Sequence, residues 1–281
     1  MPTFEPDLRD VFDATSRAVV FGDIHGDATA LRLVASRAVG EMQLTRVLVS
    51  VGDLGLGTWG GHQDKLLNRA DYLLEELDGY LLVVPGNHDD YDWIDSTLAS
   101  RRDALGFGVG GRHGRVRIAS RGHRWTLGGR RFGALGGAVS LDRARRTEGR
   151  SWWAAEAPTP ADAETLGDGE LDVLITHDVP AGVPMVSAPG WNAQLLERSD
   201  VVRALLREAV EATRPAVGFC GHWHQRVTHT LERADGGTTR VEALSAEHTP
   251  GNAVVLDLRD TALPVRPLPE AYRAYLAGGD V

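Results

Sequence analysis

The sequence predicts an α/β protein built on a parallel sheet, and two observations carry that expectation. Short apolar runs alternate with stretches of helical periodicity from residue 18 to about residue 100. Five apolar runs end in a cluster of carboxylate, amide or imidazole side chains. Open α/β sheets gather their ligands where strands end, so the clusters are expected to converge on one rim.

The first run, Ala18-Val19-Val20-Phe21, leads into Gly22-Asp23-Ile24-His25-Gly26. Leu31, Val34 and Ala38 then recur at helical spacing, predicting a helix near residues 28–39. A strand over 47–51 ends in Gly52-Asp53, and Leu66, Leu67, Ala70, Leu73, Leu74 and Leu77 stripe a helix over 64–77. A strand over 81–84 precedes Gly86-Asn87-His88-Asp89, completing a βαβαβ series.

The pattern then changes. Segments 115–119, 123–127 and 130–135 read as strands of one meander, with Gly128-Gly129 as its hairpin turn. Residues 140–170 show little periodicity and are expected to form a long exposed connection. A strand over 172–176 ends in Thr176-His177-Asp178, and a helix over 199–212 precedes a strand over 216–220. Gly221-His222-Trp223-His224 follows, then strands over 226–231, 239–244 and 253–258. The tail after Pro264 is expected to cross the surface and end in a short helix over 270–276. The organisation read here is one domain over 1–281, with a core over 18–258, a substrate-side insertion over 136–170 and a tail over 259–281.

Composition narrows the function classes. Of the 281 residues, 42% are apolar and 25% charged, which suits a globular chain. A formal charge of −9 disfavours nucleic acid or an anionic membrane surface as a general partner. The arginine-rich cation set, with Lys65 its single lysine, is read as coding bias rather than as phosphate recognition. One cysteine, Cys220, excludes an internal disulfide and a thiolate metal cage. No run reaches the roughly 20 apolar residues that span a bilayer, and the acidic start lacks a signal-peptide pattern, so a cytoplasmic location is expected.

The series GDIHG, GD, GNHD, THD and GHWH resembles the calcineurin-like metallophosphoesterase superfamily, in that family's order and over about residues 18–258. The resemblance implies a four-layer α/β/β/α sandwich and a dinuclear metal-dependent phosphoester hydrolase. One ion would be held by Asp23, His25, Asp53 and His224, and the other by Asp53, Asn87, His177 and His222. His88 would be the catalytic histidine that is not a ligand. Two cations about 3.5–4 Å apart acidify a bridging water and clamp phosphate oxygens, and the resulting hydroxide would attack phosphorus in line with His88 assisting. Alternation along an extended segment would send Asp23 with His25, and His222 with His224, to one face. Imidazole and carboxylate donors without sulfur suit Mn²⁺ first, with Fe, Zn or Ni also open.

Phosphoprotein phosphatases of the family orient the catalytic histidine with an Asp and follow it with an Arg; here those positions are Leu56 and Gly57. Asp89 and Asp178 are the candidates to orient His88 instead. The reading is therefore a phosphatase or phosphodiesterase for a small or nucleotide-like substrate. Its rivals are a phosphoprotein phosphatase, a nuclease and a non-catalytic metal-binding scaffold. His62, His113, His123, His229 and His248 are read as surface or core residues, and Asp27, Asp90 and Asp92 as capping or solvated residues.

The segment from Gly136 through Arg143 and Arg146 to Trp152-Trp153 and Glu156 is similar to one in some bacterial and phage members of the superfamily. Arg143 and Arg146 are the candidate phosphate contacts, since a guanidinium fork grips paired oxygens. The tandem indoles either wall a pocket or anchor a satellite core. Trp59 either lines the entrance or packs.

Overall fold

The computed structural model describes residues 7–57, 65–187 and 191–269. Strands β1 (Arg17–Phe21), β2 (Val47–Ser50) and β3 (Tyr80–Val83) run parallel, as the βαβαβ series predicts. They belong to a seven-stranded sheet with β4 (Gly108–Gly110), β5 (Val116–Ile118), β12 (Ala253–Asp257) and β13 (Val265–Pro267), in the order β13-β12-β1-β2-β3-β5-β4. A six-stranded sheet joins β6 (Arg124–Leu127), β7 (Arg130–Leu135), β8 (Val173–Thr176), β9 (Val217–Cys220), β10 (Val227–Glu232) and β11 (Thr238–Ala243), ordered β10-β11-β9-β8-β7-β6. Both sheets are mixed.

Side-chain alternation along each strand builds the layers. Val20, Val49 and Leu82 of the first sheet share one buried cluster with Phe132, Ile175 and Phe219 of the second. Their neighbours Val19, Leu48 and Leu81 point the other way, against α2 (Ala28–Ala35), α3 (Lys65–Glu76) and α4 (Tyr91–Ser100). Leu135 and Leu174 of the second sheet pack on α5 (Pro160–Leu166) and α6 (Ala193–Thr213). The result is a four-layer α/β/β/α sandwich. Each large apolar side chain removed from water in these layers contributes roughly 1.5–3 kcal/mol, and burial on both faces explains the uninterrupted apolar strands.

Several sequence expectations are corrected. The expected meander does not exist as one unit, because the segment at 115–119 pairs parallel to β3 in the first sheet. Only β6 and β7 form the hairpin, turned by Gly128 and Gly129 with φ of 57° and 72°. Two successive positive φ angles match the right-handed twist of the flanking strands, which is why two glycines stand there. The stretch 140–170 is more ordered than expected: it contains a 3₁₀ turn at Arg143–Arg145 and α5, whose Thr159 and Asp162 form a capping box. The helix expected over 28–39 is α-helical only through Ala35, then widens into a π turn over Ser36–Glu41. α1 (Leu8–Ala14), α4, β4 and β13 were not anticipated. The expected helix over 270–276 and Trp59 lie outside the described residues.

Candidate metal centre

Two pairs of parallel strands, β1 with β2 in one sheet and β8 with β9 in the other, deliver most of the predicted ligands just past their C-terminal ends. Asp23 and His25 follow β1, Asp53 follows β2, His177 follows β8, and His222 and His224 follow β9. Asn87 and His88 follow β3, which is parallel to β2.

These side chains meet although they come from segments up to two hundred residues apart. Asp53 is buried, and its two carboxylate oxygens face different neighbours. Oδ2 lies 3.6 Å from His25 Nε2, and Oδ1 lies 3.3 Å from His177 Nε2. Asp23 Oδ2 lies 3.1 Å from His224 Nε2 and 4.0 Å from His25 Nε2. His177 Nε2 is also 3.0 Å from Asn87 Oδ1, while its Nδ1 sits 2.9 Å from the Val51 carbonyl. The His222 ring stands 5.2 Å from that of His177, centroid to centroid. One donor atom from each of Asp23, His25 and His224 falls within 4.8 Å of the others, and the same holds for Asp23, Asp53 and His177.

The convergence is achieved by turns and not by strand alternation. The strands end at Phe21 and Cys220, so the expected alternation of Asp23 with His25 and of His222 with His224 does not apply. Instead His25, Asp53, His222 and His224 adopt positive φ of 46°, 48°, 64° and 53°. Left-handed backbone at non-glycine residues is costly and gathers at functional sites. Glycine makes room: a Cβ on Gly86 would fall 2.1 Å from Asp53 Oδ1, and one on Gly221 would fall 2.2 Å from Asp23 Oδ1.

The charge balance is that of a cation site. Burial pushes the His25 imidazole down, but hydrogen bonds to Asp53 and Glu247 and the charges of Asp53 and Asp23 raise it to about 11. His177 is likewise opposed by burial, yet Asp53 and Asp23 hold it at about 10. Burial and the neighbouring His177 push His222 well below its usual range. Burial would raise Asp53, but the histidines around it hold it well below the ordinary carboxylate range. A metal ion among these groups would compete with protons for His25 and His177. The buried His222 Nε2 has no hydrogen-bond partner among the described residues, the condition expected of a nitrogen lone pair reserved for a metal. Nitrogen and oxygen donors without sulfur fit divalent transition ions.

His88 stands at the edge of this cluster. Its Nε2 is 3.9 Å from Asp53 Oδ2, and its ring centroid is 5.3 Å from that of His25. Neither expected carboxylate orients it. Asp89 accepts from the backbone N–H groups of Gly55, Leu56 and Gly86, and Asp178 accepts from Trp223 Nε1, Val179 N and Ser199 Oγ. Arg146 is the side chain against His88, its Nη2 2.8 Å from Nδ1 and 2.7 Å from Nε2. Arg146 is itself held by a two-point pairing to Asp142 and a donation from Nη1 to the Ser151 carbonyl. Burial pushes the His88 imidazole down and the Arg146 charge adds to that, against the pull of Asp53.

Arg143 is exposed and stacks on the Trp152 ring at 3.8 Å. Trp152 and Trp153 are both buried, so neither indole presents an open wall. Among the histidines read as bystanders, His248 bonds Asp27 and His123 packs between Phe107 and Trp125. Asp27 and Asp90 cap α2 and α4 as expected.

Comparison with known proteins bears on this geometry. The family model for calcineurin-like phosphoesterases matches residues 16–226, most of the chain and every strand-end cluster. The chain belongs to the calcineurin-like phosphoesterase family. A search of curated proteins finds no match. One solved crystal structure superposes with a TM-score of 0.57 at 15% identity, over 90% of this chain and 99% of its own. The protein TT1561 of Thermus thermophilus superposes with a TM-score of 0.53 at 14% identity, over 91% of this chain and 100% of its own. A dimetal phosphatase from Danio rerio gives a TM-score of 0.49 at 14% identity, over 86% of this chain and 92% of its own. The first two share the fold of this chain. Sequence reasoning missed Glu247 and gave no role to Ser140, Asp142 and Glu156 within the segment it singled out; all four touch site residues or the groups that hold them. A spacing of 222 residues between His25 and Glu247 leaves no local signal to read.

Proposed function

We propose that this phosphoesterase is a dinuclear metal-dependent hydrolase of phosphoric esters, acting on a small or nucleotide-like substrate. The observation that carries the reading is Asp53, whose two oxygens face separate sets of donors at 3.6 Å and 3.3 Å. Asp23, His25 and His224 complete the set on the Oδ2 side, and Asn87, His177 and His222 the set on the Oδ1 side. The ions, when bound, acidify a water and neutralise charge on the phosphoryl group; Mn²⁺ is the first choice for this donor set.

The remaining work falls to side chains. Arg146 lies against His88, and a guanidinium there opposes a metal on the same ring, which supports a non-ligand role for His88. His88 is the group that passes a proton to the leaving oxygen. Arg146, oriented by Asp142, grips the non-bridging oxygens, with exposed Arg143 a further phosphate contact. The buried Leu56 and the glycine at 57 leave no charged pair where family phosphoprotein phosphatases carry one, which supports the small-substrate reading. In domain terms the core over 18–258 supplies the ligands, and the insertion over 136–170 supplies the substrate side.

Turnover of p-nitrophenyl phosphate, its bis-ester, cyclic nucleotides, dinucleoside polyphosphates and a phosphopeptide by the Mn²⁺-loaded protein tests this. Turnover of at least one small ester is expected. Activity confined to the phosphopeptide would overturn the substrate class, and turnover of none would favour the non-catalytic scaffold. No helix among the described residues is long and apolar enough to cross a membrane.

A further inference from the structure

Two buried or half-buried carboxylates outside the donor set bear on candidate ligands, Glu247 directly and Glu156 through Ser140. Glu247 lies in the loop after β11, beyond the stretch matched by the family model, and its Oε2 is 2.9 Å from His25 Nδ1. The same loop grips the His25 segment at further points. Glu247 N donates to the Asp23 carbonyl at 2.8 Å, Gly22 N donates to the Asn252 carbonyl at 2.8 Å, and His248 Nε2 pairs with Asp27 at 2.7 Å. On the other side Asn87 Nδ2 donates to Ser140 Oγ at 3.0 Å. Ser140 Oγ donates in turn to Glu156 Oε2 at 2.5 Å, and Glu156 Oε1 accepts from Ser140 N at 2.9 Å. Ser140 and Glu156 are both buried, so water does not compete for these bonds.

Each bond settles an ambiguity in its ligand. An imidazole has two nitrogens, and a carboxylate on Nδ1 leaves the Nε2 lone pair for a metal. An amide has a donor end and an acceptor end, and a hydroxyl already committed to a carboxylate accepts only the donor end. Asn87 is thereby fixed with Oδ1 toward His177 Nε2 and the cluster.

We propose that Glu247 and the Ser140–Glu156 pair are positioning residues that tune the two metal positions separately, Glu247 through His25 and Ser140–Glu156 through Asn87. This inference rests on the dinuclear reading given above. Outer partners of this kind typically contribute about 10–100-fold in metal affinity. Because the two relays share no atom, their effects fall on different ions and add when combined.

Calorimetric titration of metal-stripped protein with Mn²⁺ tests the proposal without any activity measurement. The wild-type chain, Glu247→Gln, Ser140→Ala and Glu156→Gln are compared, each with and without His25→Ala. Glu247→Gln is expected to weaken one of two binding events by about 10–100-fold and to leave the other unchanged. Ser140→Ala is expected to weaken the other event, so the proposal stays testable if the buried Glu156→Gln fails to fold. In the His25→Ala background Ser140→Ala still weakens the remaining ion, and Glu247→Gln does nothing more. Two intact binding events in both Glu247→Gln and Ser140→Ala would overturn the proposal and leave the dinuclear reading standing. Fewer than two binding events in the wild-type chain would overturn both.

Discussion

His88 and Arg146 form a pair that separates chemistry from metal binding. His88 touches Arg146 with its ring, and only its backbone N–H bonds Asp53, at 2.7 Å. Replacing His88 by Ala keeps that backbone bond and removes the proton donor. Turnover is expected to fall by about 10²–10⁴-fold while metal content by elemental analysis stays at the wild-type level. Unchanged turnover would remove His88 from the reaction. Gly86 gives the opposite signature. A methyl group there meets Asp53 Oδ1 at 2.1 Å, so Gly86→Ala must displace the shared carboxylate or the backbone. Such overpacking costs about 1–3 kcal/mol, and metal uptake is expected to fall together with melting temperature. A variant that binds metal and melts like the parent would show that this loop yields more easily than its contacts imply.

The hairpin β6–β7 and the loop before it carry a different, pH-dependent device. His123 packs at 4.4 Å from Phe107 and 5.8 Å from Trp125, with Arg102 and Asp103 the charged groups near it. Burial pushes its imidazole below the ordinary value, so the unfolded chain takes up the proton first. Stability from this group is therefore complete above about pH 6.5 and is lost as pH falls through that value toward the lower native pKa. His123→Phe removes the group. Its denaturation free energy should fall less than the parent's between about pH 7.5 and about pH 5.5. Equal losses would show that His123 does not titrate differently in the two states. The same region shows what sequence could reveal of the elements. The turn glycines at 128 and 129 were legible because two positive φ angles need them. The sheet to which the 115–119 segment belongs was not, because pairing with β3 depends on residues more than thirty positions away. α4 had a readable signal in Asp90 and the spacing of Tyr91, Ile94 and Leu98, placed directly behind the site motif that masks it. α1, seven residues long with two buried side chains, has too few apolar positions to set a period.

Across the two sheets the legible and illegible parts of the site divide by distance along the chain. Asp23 with His25, Asn87 with His88, and His222 with His224 were readable because each group is contiguous and follows an apolar run. The left-handed backbone that aims them and the carboxylates behind them were not, since both are set by contacts with other strands. The donors gather around buried carboxylates, and those carboxylates favour protons on His25 and His177, whose imidazoles they raise to about 11 and about 10. Metal uptake must expel those protons, so apparent affinity is expected to rise with pH across the neutral range, and titration in two buffers of different ionisation enthalpy will count the protons released. Uptake independent of pH would contradict it. The most direct test of the central claim is anomalous diffraction from crystals of the protein grown with Mn²⁺. Two peaks about 3.5–4 Å apart, on either side of the Asp53 carboxylate, are the predicted result. A single peak, or none within reach of Asp53, would contradict the account.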